Sequence, residues 1–404
     1  MSITITRCEA RAIRDSRGKP TVEVSLACAG HTVSAAVPSG KSTGSKEALE
    51  KRDKDGIGVA DAVVAVNDVI APKIIGKKAD SLAIDRLLID LDGTDNKSVL
   101  GANAVLGVSI ATAKLIAAAD GIFLWKYIAD TAKTTPSLPK LYMNVINGGA
   151  HADFRLPFQE YIVVPNDETI SKAYARARAI MDNVGKELKK KDGAVTMGDE
   201  GGYSLRLDTL DEPFDILTDS IAQAGGGAFI AIDAAATELH RGGAYELLGS
   251  RYSAMSLSLA YKELIEKFNL RSIEDPFEET DTKAFEAFYA DVGDAVLVVG
   301  DDLTVTNPGI VAEMAERRAA NAVIIKPNQI GTLLEVYDAV SIAKNAGWQI
   351  IVSHRSGETM DPFIADLAVG LGAFGIKAGA PTQPERVVKY ERLLAIENEH
   401  GIIH

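Results

Sequence analysis

Cysteine is nearly absent from this chain: two in 404 residues, Cys8 and Cys28. Two thiols build no disulfide framework. They read as small half-buried side chains in a reducing compartment, although neighbouring early strands would let them pair. Positive charge is also in deficit, with 43 Lys and Arg against 56 Asp and Glu and a formal net charge of -13. That balance excludes nucleic acid or an anionic membrane as the main partner, but it leaves room for a local basic pocket around an anionic small molecule. Long uninterrupted apolar runs are missing too. The greasiest, Val105 to Phe123, is broken by Lys114 and Asp120 and is rich in alanine, so it reads as a buried helix. Near the start, Arg7 and Glu9 fall where a secretion signal needs an apolar centre. The expectation is a soluble, cytoplasmic protein.

What remains is ordinary globular material, 47% hydrophobic and 25% charged, which sets aside disordered and fibrous classes. The length calls for two or three domains, or one barrel with an accessory domain. From Ile3 to Val37 the pattern is of strands: Val22, Val24, Leu26 and Cys28 alternate with Glu23, Ser25 and Ala27, and Ala29-Gly30 turns the chain back. The small polar loop Pro38-Ser-Gly-Lys-Ser-Thr-Gly-Ser45 follows. Helical periodicity then covers residues near 59 to 75, 80 to 91, 103 to 119 and 123 to 130, which predicts an α+β domain over 1–134. Thr134 to Pro139 reads as the linker to a second domain, 135–404.

Beyond Leu141, apolar runs alternate with stretches of helical length. Asn307-Pro308 and Asp361-Pro362 place a capping side chain ahead of a first-turn proline. Such alternation predicts parallel strands, and about eight of them favour a closed barrel. Six consecutive runs end in Glu200, Asp233, Glu274, Asp301, Lys326 and His354, and a seventh in Lys377. On parallel strands these side chains converge at one rim. Asp233, Glu274 and Asp301 are hard oxygen donors that repel one another unless a cation lies between them. With no Cys or His cluster beside them, Mg²⁺ is expected rather than Zn²⁺. A lysine at a buried rim tends to lose its proton, which suits a general base. Arg355 and Ser356 offer a planar fork and a hydroxyl, suited to a phosphate or carboxylate.

Ser353-His-Arg-Ser-Gly-Glu-Thr359, Gly198-Asp-Glu-Gly-Gly202, Ser272-Ile-Glu-Asp-Pro-Phe277, Gly300-Asp-Asp-Leu-Thr-Val-Thr-Asn-Pro308, Lys326-Pro-Asn-Gln-Ile-Gly331 and Pro38-Ser-Gly-Lys-Ser-Thr-Gly44 resemble the motifs of the enolase family. They run in family order, from Asp15-Ser-Arg-Gly18 to Glu391. The resemblance implies a β₂α₂(βα)₆ TIM-like barrel under an N-terminal α+β capping domain, and reversible dehydration of 2-phospho-D-glycerate to phosphoenolpyruvate with two Mg²⁺ ions. Position by position it implies Lys326 as the base at C2 and Glu200 as the acid at the C3 hydroxyl. Asp233, Glu274 and Asp301 would hold the first metal, with Lys377 beside the substrate carboxylate. Arg355 and Ser356 would grip the phosphate, and His354, His151 and Glu160 would complete the pocket. Ser42, in the mobile loop 38–45, would bind the second metal. A homodimer or dimer-based octamer is implied as well. The pairing of a lysine or histidine base with Mg²⁺ is a general property of that superfamily.

The chain departs from the family pattern at Lys41, at Phe154 to Phe158, at Ser204-Leu205-Arg206 and at Thr382-Gln383-Pro384. Lys41 is expected to point to solvent, with the phosphate as its other target. The departures touch substrate preference and subunit contacts rather than the core chemistry. Two other readings fit the same residues. One is a paralogue performing this elimination on a related phosphate or phosphonate, as carboxyphosphonoenolpyruvate synthases do. The other is a non-catalytic structural or surface-binding role, against which stand the intact site positions and the ending Ile402-Ile403-His404, which lacks a terminal lysine.

Overall fold

The structure is a computed structural model that describes residues 3–41, 43–152, 156–192, 195–204 and 206–399. The early alternation forms three antiparallel strands, β1 (Arg7–Arg14), β2 (Pro20–Cys28) and β3 (His31–Ala36). Val22, Val24 and Leu26 are buried beneath the helix Ala102–Asp120. The two surfaces meet closely, since a β-carbon on Gly107 would lie 2.5 Å from Val24 Cγ2. This helix is long and apolar enough to cross a membrane, yet 83% of its apolar window is buried within the protein. Cys8 and Cys28 are buried and unpaired: Cys8 sits opposite Leu26 and Cys28 opposite His31.

The other expected helices form at Ala60–Ile74, Ser81–Asp92 and Leu124–Ala132. The first widens into a π-helical stretch, Ala65–Ile70, just ahead of Pro72. Proline lacks the N–H for an i→i−4 bond and its ring crowds the carbonyl four residues back, so a wider turn relieves the clash. Helix Ser81–Asp92 carries the fully buried Asp85, whose Oδ2 accepts from the Leu334 N–H at the start of the barrel helix Leu333–Asn345 (2.9 Å). A helix N-terminus favours an anion, but burial outweighs it and pushes the Asp85 carboxyl up to about 7. The folded state therefore holds a proton that the unfolded chain releases near pH 4. The resulting stability is complete below that point and is lost as pH rises through 7. Asp85→Asn should flatten this dependence. Melting curves of variant and wild type should diverge between pH 4 and 7 in the variant's favour, by up to about 1.4 kcal/mol per pH unit, and run parallel above that.

Eight strands close a barrel: β4 (Lys140–Asn147), β5 (Glu160–Pro165), β8 (Ala228–Asp233), β12 (Leu270–Glu274), β13 (Leu297–Gly300), β14 (Ala322–Ile325), β15 (Gln349–Ser353) and β16 (Gly375–Lys377), with β16 returning to β4. A two-residue hairpin, β6 (Thr196–Met197) and β7 (Tyr203–Ser204), hangs from β4. A small separate sheet, β9 (His240–Arg241), β10 (Ala244–Leu247) and β11 (Ser250–Tyr252), precedes β12.

All pairings in the closed ring are parallel except those of β5, which runs antiparallel to both β4 and β8. Alternation alone predicted parallel pairing throughout. The exception follows from the connection: the 12 residues between β4 and β5 are about the shortest a crossover with its helix can be, and among the described ones only the turn Gly149–Ala152 is helical.

Tyr142, Ile162, Val164, Phe229, Ala231, Val299, Ala322, Ile324 and Ile351 form a core inside the barrel, distinct from the large core between strands and helices. Two residues beyond Ala231, Val299 and Ile324 come Asp233, Asp301 and Lys326. The period of two that fills the barrel with aliphatic side chains therefore also aims these charges inward at its end.

Candidate active site

The rim of the barrel lines a narrow, mostly polar cleft. Glu160, Glu200, Asp233, Asp301, Lys326, His354, Arg355, Ser356 and Lys377 all face it. Asp233, Glu274 and Lys377 are the last residues of their strands, and Asp301, Lys326 and His354 stand one position beyond theirs. One placement differs from expectation, that of Glu200, while Glu160 joins the pocket as expected. Glu160 is the first residue of β5 and reaches the same rim because that strand runs the other way, pairing Glu160 with Asp233. Glu200 ends no barrel strand: it lies in the tip of the β6–β7 hairpin, whose strands are too short to join the ring. Ser42 lies outside the described residues, as do Phe154, Arg155 and Leu205. His151 falls in the short helical turn Gly149–Ala152, with its side chain outside the description.

The rim carries more negative than positive charge. Lys377 Nζ, 2% exposed, contacts Glu160 Oε1 (3.1 Å), Asp233 Oδ2 (2.9 Å) and Glu274 Oε2 (2.9 Å). Burial works against its charge, but these carboxylates override it and hold its pKa well above the lysine range. Lys326 does not behave as a freely deprotonating buried lysine. Burial would lower its pKa, yet Asp301, bonded directly to Nζ, raises it. Asp301 is itself held low, since Lys326 outweighs the burial that would raise it.

The remaining acids move upward. Burial first, then Glu200, raises Glu160; burial first, then Asp233, raises Glu274; burial and Asp301 push Asp302 up to about 8. Several buried polar atoms facing the cleft, Glu160 Oε2, Gln159 Oε1 and His354 Nε2, have no hydrogen-bond partner among the described residues.

This constellation fits a hard divalent cation. The donors are all oxygen at Asp233, Glu274 and Asp301, carried by three adjacent strands, and added positive charge would relieve the raised carboxyls. Ligand atoms of Asp275, Asp301 and Asp302 approach within 4.8 Å of one another, as do those of Glu160, Glu200 and His354. Asp233 and Glu274 are drawn onto Lys377 instead.

The loop from the first domain reaches across the rim. Ser39 and Gly357 exchange two backbone hydrogen bonds of 2.9 Å. Arg17, fixed by Asp15 at 2.9 Å, donates to Ser39 Oγ (2.8 Å), Gly40 O (3.3 Å) and Ser356 Oγ (3.3 Å). Arg355 pairs with Glu47 at 3.0 Å. The glycine at position 40 lets Arg355 lie against the loop, since a β-carbon there would be 1.9 Å from Arg355 Nη2 and would push the guanidinium aside.

Lys41 is exposed, as expected. It pairs with Asp199, beside Glu200, at 2.7 Å. Both partners are partly exposed, so the pair is worth about 0.2–1 kcal/mol and weakens with salt. Asp199→Asn should therefore raise KM by about 1.5- to 5-fold at low ionic strength and leave it unchanged at high salt. Steady-state kinetics across a salt series reads this out. Thr382 Oγ1 and Gln383 Nε2, two more departures, donate to the carbonyls of Gly201 and Asp199 on either side of Glu200.

Sequence reading missed Gln159, Asp275 and Asp302 on the cleft wall, Arg17 at the loop, and Asn144, whose Nδ2 donates to Glu200 Oε2 at 3.0 Å. Asp275, Asp302 and Arg17 lay inside motifs already noted and next to residues already chosen. Asp275 adopts φ +41° and accepts from the N–H groups of Asp301 (2.9 Å) and Asp302 (2.7 Å), fixing the end of the neighbouring strand.

A closed eight-stranded barrel with acids and lysines on its rim, capped by an α+β unit, defines a barrel enzyme of the enolase class. Residues 5–128 match the family model described as the enolase N-terminal domain, and 135–403 match the enolase C-terminal TIM barrel domain. An enolase of Methanopyrus kandleri is 46% identical over 410 aligned residues, covering 98% of this chain and 96% of that protein. The chain belongs to the enolase family, the phosphopyruvate hydratases, and is an enzyme of the lyase class.

Proposed function

We propose that this enzyme catalyses the reversible, Mg²⁺-dependent dehydration of 2-phospho-D-glycerate to phosphoenolpyruvate in the cytoplasm. Residues 135–404 would form the catalytic barrel and residues 1–134 its cap, in a homodimer or an assembly of dimers. The observation that carries this reading is that Lys326, one residue beyond β14, and Glu200, on the β6–β7 hairpin, face one cleft from separate elements. An elimination across two faces of a small substrate needs a base and an acid so arranged.

Asp233, Glu274 and Asp301 would hold one Mg²⁺, and Ser42 would contribute to a second. When bound, Mg²⁺ would supply positive charge against the negative charge that builds on the substrate, and the carboxylates now held by Lys326 and Lys377 are the ones that would hold it. Lys326, as the neutral amine it becomes once Asp301 no longer holds its ammonium, would take the C2 proton, a weakly acidic one because the adjacent carboxylate is already anionic. Lys377 stabilises the charge that accumulates there. Glu200, steadied by Asn144, gives its proton to the departing C3 hydroxyl. Arg355 and Ser356 grip the phosphate, while His354, His151 and Glu160 close the pocket wall. Loop 38–45 excludes water.

Phosphorus NMR of the purified enzyme with Mg²⁺ and 2-phospho-D-glycerate should show the phosphoenolpyruvate resonance growing in. Turnover of a phosphonate analogue in its place would move the assignment to a paralogous elimination.

A further inference from the structure

The last helix, Pro384–Asn398, sends a fully buried arginine under the segment that follows β15. Arg386 donates Nη1–H to the carbonyl of Arg355 (2.7 Å) and Nη2–H to the carbonyl of Ser356 (2.8 Å). The same Nη1 lies 2.6 Å from His354 Nδ1. A guanidinium has donors and no acceptor, so Nδ1 must offer its lone pair and the ring proton must sit on Nε2. That nitrogen lies 3.4 Å from Glu200 Oε1, has no hydrogen-bond partner among the described residues, and belongs to a ring that is 2% exposed and faces the cleft.

We infer that Arg386 is a positioning residue that locks His354 as a neutral imidazole, its proton on Nε2 in the cleft beside Glu200. The site thereby gains a fixed N–H donor beside the proposed acid and is denied a mobile imidazolium there. The charged groups facing His354 are Glu200 from the hairpin, Glu160 from β5, Glu358 from its own segment and Arg386 from the last helix. Burial leads in lowering the His354 pKa to about 4 and Arg386 adds to it, against the pull of Glu200 and Glu358. Lys389, from the next turn of the helix, holds Glu358 at 2.7 Å and donates to the Thr359 carbonyl at 2.5 Å, so the segment rests on two buried cations.

The role assigned to His354 rests on the proposed reaction, but the lock is observable without it. With six histidines in the chain, long-range ¹⁵N–¹H correlation of ring-labelled, Mg²⁺-loaded protein should give one ring, removed by His354→Asn, in the Nε2–H form and unchanged from pH 5 to 8.5. A ring with its proton on Nδ1, or one titrating near the ordinary value of about 6.5, would overturn the inference. Arg386→Met should free the ring to titrate. Its kcat/KM should then fall about tenfold per pH unit below the new pKa, as a single ionisation requires. Arg386→Lys should restore part of the acid-side activity. A folded Arg386→Met protein whose His354 still fails to titrate would also overturn the inference. A locked ring in an enzyme inactive on 2-phosphoglycerate would instead sink the proposed reaction and leave the lock standing.

Discussion

Lys326→Ala is expected to lower turnover of 2-phosphoglycerate by about 10³-fold or more and to abolish exchange of its C2 proton with solvent, whereas Glu200→Gln should lose turnover by a similar factor and keep exchange detectable. The distinction rests on geometry. Lys326 stands one residue beyond β14 with Asp301 as its partner, while Glu200 sits on the hairpin beside Asn144 and His354. A base acts before the C3 bond breaks, so its loss stops exchange. An acid acts at the break, so its loss leaves the earlier proton transfer intact. Deuterium incorporation into recovered substrate, followed by proton NMR, separates the two. Exchange surviving in Lys326→Ala and vanishing in Glu200→Gln would mean the roles are reversed.

Lys377→Met should give the largest change in stability. It removes the one side-chain cation in contact with Glu160, Asp233 and Glu274 among the described residues and leaves three carboxylates buried together, a loss of about 3–5 kcal/mol for a broken buried pair. The pH dependence follows from the acids. Burial already raises the Glu160 and Glu274 pKa values, so both take up protons readily as pH falls and relieve the repulsion. The deficit should therefore be greater at pH 8 than at pH 5, and Mg²⁺ should restore part of it by replacing the lost charge. Thermal melts with Mg²⁺ and with a chelator, at both pH values, measure this. A variant as stable as wild type at pH 8 in chelator would show that the acids are held by something other than Lys377.

Strand ends were legible wherever a buried run stops at a charge. Asp233, Glu274, Lys326 and Lys377 each close an apolar segment whose alternation also fixes which way the side chain points. The direction of β5 was not legible from its own residues, because a strand of period two reads the same both ways; only the family pattern of two strands ahead of two helices carried it. Glu200 looked like another strand end, since Thr196-Met197 are β-formers, but two residues cannot take a place in the ring. Arg386 and the Lys41–Asp199 pair left no local signal. Their partners are 32 and 158 residues away in sequence, and a cation within an amphipathic helix or a polar loop is ordinary until the fold brings it to its partner. The raised pKa of Lys326 was hidden for the same reason, because burial alone predicts the opposite shift and Asp301 decides it.

The central claim is a metal-dependent elimination at the barrel rim. Ultraviolet absorbance of phosphoenolpyruvate formed from 2-phospho-D-glycerate, recorded with Mg²⁺ and again after chelation, tests it most directly. Steady turnover that collapses with chelator and returns on adding Mg²⁺ is the predicted result. Folded protein that forms no phosphoenolpyruvate with Mg²⁺ present would contradict it.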